Sequence, residues 1–436
     1  MTHNRTLALL LALAAPMTIP AVAHAEVIGT TVPLKGLTVA DVEAAVPAGP
    51  QREAWLDWLA RSQAAMARDK AMLEAERSAL AASGQDVPGP PPTGNSARTM
   101  PLDRDAAWYG GAEARAIADN VVSFQTPAGG WGKNQDRTGP PRAPGQGYTI
   151  SIGQAGAHAA QDGADGWSFV GTMDNDATIH ELAFLARVQE QLPGAEGDPY
   201  RQSFARGLAY LLAAEMPGGG WAQVWPLQGL YHDALTLNDN MLINTTELLQ
   251  QVGTGAGPYG FIAPEQQAQA AAAAARAVAV LLELQVEVAG QPTIWAQQYD
   301  PFTRQPVPAR NYEMIALSTG ESAPVLTFLM QQDRSDPGIV RAVEAGVRWF
   351  ADHAVQDMAW RRLSETERRL VPEPGADPLW SRFYSIETGK PIFGDRDLSI
   401  HDDVNEISAE RRRGYGWFNG SGTTVARDYA AWQAAR

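Results

Sequence analysis

Gln125-Thr-Pro-Ala-Gly-Gly-Trp131, Met216-Pro-Gly-Gly-Gly-Trp221 and Gly290-Gln-Pro-Thr-Ile-Trp295 each follow a stretch of helical patterning. A glycine turn and then a tryptophan after each of three helices is an internal repeat. Such a repeat describes helical hairpins stacked about an axis, each tryptophan turned inward. The expected fold class is all-α, an (α/α) toroid-like helical domain with short irregular strands and long loops. Loops gathered at one end of the hairpins would form a groove. Turn geometry and core packing explain the glycines and tryptophans equally well, so they do not by themselves mark a site.

Working outward, helices are expected near 106–124, 176–191, 199–214, 238–251, 264–288, 319–331, 337–353 and 421–435. Asp336-Pro337 is a start signal, an N-cap residue followed by proline at the first helical position. Val340, Val343, Val347 and Phe350 mark that helix's buried face. Upstream, residues 51–82 carry Leu59, Met66, Leu73 and Leu80 at every seventh position, with Trp55 and Ser62 on the same side. That spacing describes a packing helix. Val87 to Pro101 is rich in Pro and Gly and reads as a linker. At the start, Leu7 to Ala15 is an apolar run and Ala23-His24-Ala25 a cleavage site, the pattern of a signal peptide. The run is too short for a membrane anchor, which needs about 20 apolar residues. The expected division is a signal peptide over 1–25, an N-terminal helical segment and Pro-rich linker over 26–104, and a catalytic domain over 105–436.

The composition narrows the chemistry. Apolar residues make up 45% of the 436 residues, enough for a large core. The absence of cysteine excludes disulfides, thiolate metal sites and cysteine nucleophiles. A net charge of −15 speaks against nucleic-acid partners. It would also repel a polyanionic sugar, unless cations and a local basic cluster intervene.

Polar residues concentrate in Gly129–Asn134, Thr172–Thr178, Tyr231–Asp239, Trp295–Glu313 and Leu379–Asp397. Each has a plain reading. Asp174, Asp176, Asn238 or Asp239 could cap the helix that follows. Arg310 and Glu313, three apart, could be a helical ion pair. His232 reads as packed or hydrogen-bonded rather than as a metal ligand, since no HExxH pair exists. Taken together, the segments supply carboxylates for a hard cation and Lys and Arg for anionic groups. That combination suits an acidic sugar polymer.

Several stretches carry a resemblance: Gln125–Asn134, Thr172-Met-Asp-Asn175, Gly219–Pro226, Tyr231-His-Asp-Ala234, Asn238-Asp239, Ala309-Arg-Asn-Tyr-Glu313, Trp380–Tyr384, Pro391–Arg396 and Glu410–Trp417. In this order, from about Trp108 to Phe418, they resemble polysaccharide lyase family 10, the pectate lyases with a toroid-like fold. The resemblance implies a secreted enzyme, periplasmic or extracellular, that cleaves polygalacturonate by β-elimination with Ca²⁺. It implies Arg310 as the catalytic base, Asp174 as the catalytic-centre carboxylate that binds calcium with the substrate, and Asp239 as a second metal carboxylate. Lys133, Asn134, Asn238, Arg382 and Arg396 are then substrate-binding. The expected partner is pectate, with no nucleic acid and no membrane anchor, and the enzyme a monomer.

The chemistry fits those roles. The proton on C5 of galacturonate is a weak acid. Neutralising the adjacent carboxylate stabilises the charge that develops as the proton leaves. Arginine is normally always charged. Arg310 must therefore be pressed toward neutrality by nearby cations or act through a small neutral fraction, and either case implies an alkaline optimum. The sequence departs from the family at Asp176, at Ile179-His180-Glu181 and in a Gly- and Pro-rich insertion over Gly139–Val170. Two other functions compete. An inverting glycoside hydrolase could use Asp174 and Asp239, leaving the arginines without a role. A non-catalytic uronate-binding protein would not need Arg310.

Overall fold

The computed structural model describes residues 26–150 and 167–435. The expected signal peptide lies outside the described residues, as does the middle of the 139–170 insertion. The chain forms α1 (Val39–Ala45), α2 (Pro50–Ala82), α3 (Ser96–Thr99), α4 (Ala106–Tyr109), α5 (Ala112–Ser123), α6 (Ile179–Glu190) and α7 (Asp198–Ala214). It continues with α8 (Met241–Thr254), α9 (Pro264–Glu283), α10 (Thr319–Leu329), α11 (Pro337–Asp352), α12 (Ala409–Gly414) and α13 (Ser421–Ala434). Helices α6 and α7, α8 and α9, and α10 and α11 pack as pairs. Helices α5, α6, α8 and α10 form one row, α7, α9 and α11 a second, and α13 packs on α10 and α11. The described strands are short and pair in twos or threes, without a barrel.

The glycine-turn tryptophans organise this array. Trp131, Trp221 and Trp295 are wholly buried. Their indole N–H groups donate to the carbonyls of Val121, Leu211 and Leu281 at 2.7, 2.8 and 2.7 Å. Those carbonyls lie in the last turns of α5, α7 and α9, where a helix runs out of backbone donors of its own. Trp380 does the same for Phe350 in α11, at 2.8 Å. This fourth unit escaped the sequence reading because a hairpin, Met358–Arg362 with Arg368–Pro372, separates α11 from its tryptophan. The hairpin is rich in arginine and lacks clean apolar alternation, so it gave no strand signal. Positive φ at Gly129 (113°) and Gly219 (83°) explains why glycine precedes Trp131 and Trp221.

The repeat extends to the strands. The carbonyls of Trp131, Trp221 and Trp295 accept from the backbone N–H of Thr172, Thr236 and Ser318. Each of those residues pairs with the residue three beyond the next tryptophan: Thr172 with Val224, Thr236 with Gln298, Ser318 with Phe383. Directly after them come the acidic turns bearing Asp174 and Asn238-Asp239, which lead into α6 and α8, and α10 itself, which carries Glu321 in its first turn. One unit is thus a helix, a glycine turn, a tryptophan, a strand pair and an acidic turn that opens the next helix.

Helix boundaries differ from expectation for local reasons. The helix expected over 106–124 breaks at Gly110-Gly111 into α4 and α5. The one expected from 238 starts at Met241, because Asp239 and Asn240 have φ of 53° and 60°. Helix α2 buries Trp55, Trp58, Leu59, Ser62 and Leu73, and its tryptophans share one core with the helical array. The stretch read as a linker is docked: Gly94 donates to the Asn134 carbonyl at 2.8 Å, and Asp136 to that of Pro92 at 3.0 Å.

Candidate active site

The acidic turns and the residues after the tryptophans meet in a cleft of about 310 Å³. Asp174 is buried on the turn before α6, where its N–H donates to Thr172 Oγ1 at 3.0 Å. Its Oδ2 accepts from the Lys133 ammonium. Asp239 lines the same cleft from the turn before α8, where its side chain interacts with that of Asp174. Asn238 donates to Asp239 Oδ2 at 2.9 Å. Burial opposes ionisation of both acids. Lys133, the bond from Asp239 and the charge of Arg310 hold Asp174 well below the usual carboxylate range. Burial, together with the neighbouring Asp174 charge, drives Asp239 well above it. The two carboxyl groups thus ionise as a coupled pair, Asp174 before Asp239.

The opposite side carries arginines. Arg310 sits on a tight turn rather than a helix and forms a two-pronged pair with Glu313, its Nε 2.7 Å from Oε2. Burial opposes the charge on Arg310, but Glu313 outweighs it and raises the pKa above that of free arginine. Glu313 thus outweighs the expected pressure toward neutrality. The Tyr415 hydroxyl donates to Glu313 Oε1 at 2.6 Å. Arg382 pairs with buried Glu321 at 2.5 Å and lies 3.4 Å from Asn238 Oδ1. Each of these cations, Lys133 included, has its own carboxylate.

The cleft thus brings together Lys133, Asp174, Asn238, Asp239, Arg310 and Arg382. Two expected residues lie apart. Asn134 is exposed, with φ of 57°, outside the cleft lining. Arg396 is at the rim, paired with Glu410 at 2.9 Å and separated from Arg310 by the Tyr312 ring.

Other residues had no clear signal alone. Glu313 appeared only as half of an ion pair, and Glu321 looked like an ordinary helix residue. Arg137 and Glu181 form a wholly buried pair at 2.7 Å. Arg137 also donates to the Gly132 carbonyl, while Glu181 accepts from Thr178 N, so the pair fixes both the Lys133 loop and the Asp174 turn. His232 is buried, stacked on Tyr231 with ring centroids 3.9 Å apart. Trp167, at the end of the insertion, meets its edge at 4.8 Å. Burial first, then the charge of Lys133, depresses the imidazole to about 3, so His232 is neutral.

The donor set fits a hard cation. Asp174 Oδ1 is buried with no hydrogen-bond partner among the described residues, and Asn238 and Asp239 add oxygens to the lining of the same cleft. Among the described residues, no three His, Cys, Asp or Glu side chains converge as a metal cage. Calcium held here would need further oxygens from substrate and water. Nor, among the described residues, is any helix long and apolar enough to cross a membrane.

Comparison with known proteins agrees. No curated protein matches the chain. The family 10 polysaccharide lyase from Cellvibrio cellulosa is 29% identical, with a TM-score of 0.62 over 77% of this chain and 97% of that one. An Asp-to-Ala mutant of a family 10 polysaccharide lyase from the same organism, in complex with trigalacturonic acid, is 28% identical, with a TM-score of 0.62 over 77% and 98%. The model of the pectic acid lyase family matches residues 125–426, well over half of the chain. On that match the protein belongs to the pectic acid lyase family and is a pectate lyase.

Proposed function

We propose that the enzyme is secreted and cleaves α-1,4-polygalacturonate by calcium-assisted β-elimination, with Arg310 as the base. The observation that carries this reading is that Asp174 and Asp239 line one cleft together with Lys133, Arg310 and Arg382. Asp174 and Asp239 would hold calcium, which supplies positive charge to the substrate carboxylate and acidifies the C5 proton. Lys133 and Arg382 would leave their carboxylates to grip uronate groups, with Arg396 doing so at the rim. Arg310 takes the C5 proton; the electron pair forms the C4–C5 double bond; the C4–O4 bond breaks, and O4 is protonated from solvent. Glu313 locks the guanidinium by Nε and Nη2. The same pair makes Arg310 a stronger base with a smaller neutral fraction, so the rate should climb with pH through the alkaline range. The two rows of helices support the toroid-like reading of the fold.

The hydrolase alternative loses support. An inverting pair needs carboxyl groups roughly 6.5–9.5 Å apart to admit water, whereas the Asp174 and Asp239 side chains interact directly and ionise as a coupled pair. The test is ultraviolet absorbance during incubation with polygalacturonate at alkaline pH, with calcium and then with chelator. A calcium-dependent rise is expected. New reducing ends without absorbance would mean hydrolysis, and full activity in excess chelator would remove calcium from the mechanism.

A further inference from the structure

The second residue after each repeat tryptophan lines the cleft: Lys133, Gln223, Gln297 and Arg382. The equivalence is structural. The carbonyls of Gln223, Gln297 and Arg382 accept from Met173 N, Leu237 N and Thr319 N, each just ahead of an acidic turn. Four equivalent positions thus present two cations at the ends of the series and two neutral amides between them.

Gln298 also lines the cleft with an Oε1 unpaired among the described residues, but its amide nitrogen is tied to the Tyr231 carbonyl and Thr236 Oγ1, which leaves Gln223 and Gln297. Each is 7% exposed, and each has a buried Oε1 with no hydrogen-bond partner among the described residues. His232 Nδ1, beside them in the cleft lining, is in the same condition. A buried unpaired acceptor costs free energy unless a ligand supplies a donor. A galacturonate ring carries one carboxylate, served by the cations, and hydroxyl groups, which donate to acceptors. Gln223 is anchored beside Asp174, and Gln297 beside Asn238 and Asp239.

We propose that Gln223 and Gln297 are the hydroxyl-reading residues of the cleft, accepting hydrogen bonds from the 2- and 3-hydroxyls of bound galacturonate. The assignment rests on the pectate-lyase reading above. It makes the enzyme selective for rings whose secondary hydroxyls are free, a preference separate from recognition of the carboxylate.

Gln223→Leu and Gln297→Leu keep approximate size and remove the acceptor; Gln→Glu at each site retains one. Activity would be compared on polygalacturonate and on polygalacturonate acetylated at O2 and O3. Binding of trigalacturonic acid would be followed by calorimetry, and folding by thermal melting. Wild type should lose roughly 30-fold on the acetylated polymer. Each Leu variant should lose about 10-fold on the free polymer, the worth of one hydrogen bond, and little more on the acetylated one. The calcium midpoint should stay within about twofold. Folded Leu variants that still discriminate against acetyl groups as wild type does would overturn the assignment. A calcium midpoint shifted about tenfold would do so too, by making the glutamines metal ligands. If wild type yields no unsaturated product, the elimination reading fails by itself, and the binding measurements still decide the glutamines.

Discussion

Two concavities among the described residues make a contrast, and the smaller of them is the candidate active site. The cleft is about 310 Å³ and walled by charge. The hollow under the N-terminal segment 30–37 is about 810 Å³, and Pro33, Leu34, Phe302, Met314 and Ile315 form much of its wall. Its buried acid, Asp233, accepts from the backbone N–H groups of Leu37, Gln228 and Gly229 at 3.0, 3.2 and 2.9 Å, which ties the segment down. Size therefore does not identify the working site. What marks it is the concentration of charge in one cleft: Asp174, Asp239 and Glu313 with Lys133, Arg310 and Arg382.

The contrast can be broken most directly at Arg310. Arg310→Ala should lower kcat by about 1000-fold while trigalacturonic acid still binds; substantial residual elimination would remove it as the base. Asp174→Ala should cost about 100-fold or raise the calcium requirement steeply. Unchanged calcium dependence would reduce Asp174 to a helix cap. The calcium midpoint should itself depend on pH. Asp239 must lose its raised proton to ligate, so the requirement should grow as pH falls from about 8 to about 6, approaching tenfold per unit. A flat profile would mean that Asp239 is not a ligand.

The hollow should answer differently. Phe302→Ala, which removes a ring 4.8 Å from Trp55, should cost about 2 kcal/mol of stability in urea unfolding and leave kcat per folded molecule unchanged. A large loss of kcat there would end the distinction between the two concavities. The smallest effect concerns Asp233, which burial pushes up to about 6. Between about pH 4 and 6 the folded state then holds a proton that the unfolded chain has released, so stability falls as pH rises across that window. Asp233→Asn should flatten that slope, and identical slopes would show Asp233 ionised throughout.

The sequence made parts of this arrangement plain. Helix α2 and the paired helices were legible because apolar spacing reports burial directly. Lys133, Asp174, Asp239, Arg310 and Arg382 were legible through motif resemblance. Gln223 and Gln297 were not, although Trp221-Ala-Gln223 and Trp295-Ala-Gln297 repeat in plain view. A neutral amide carries no charge to draw notice, and the equivalence emerges only when backbone bonds align Met173 with Leu237. Glu321 was hidden likewise, since its partner Arg382 lies 61 positions away. Arg137 and Glu181 act on the site only through the backbone of other residues. Burial of that kind leaves no periodic trace.

The private pairing of each cation has one last consequence. With Lys133 against Asp174, Arg310 against Glu313 and Arg382 against Glu321, the resting cleft is close to electrically blank. A stray phosphate or sulfate meets no unanswered positive charge and has little reason to lodge there. On the calcium reading proposed above, a ligand that brings its own divalent counter-ion would occupy the carboxylates and release the cations together. Admission would then be set by a joint arrival, and an anion alone would be a poor competitor even for a pocket built of arginine and lysine.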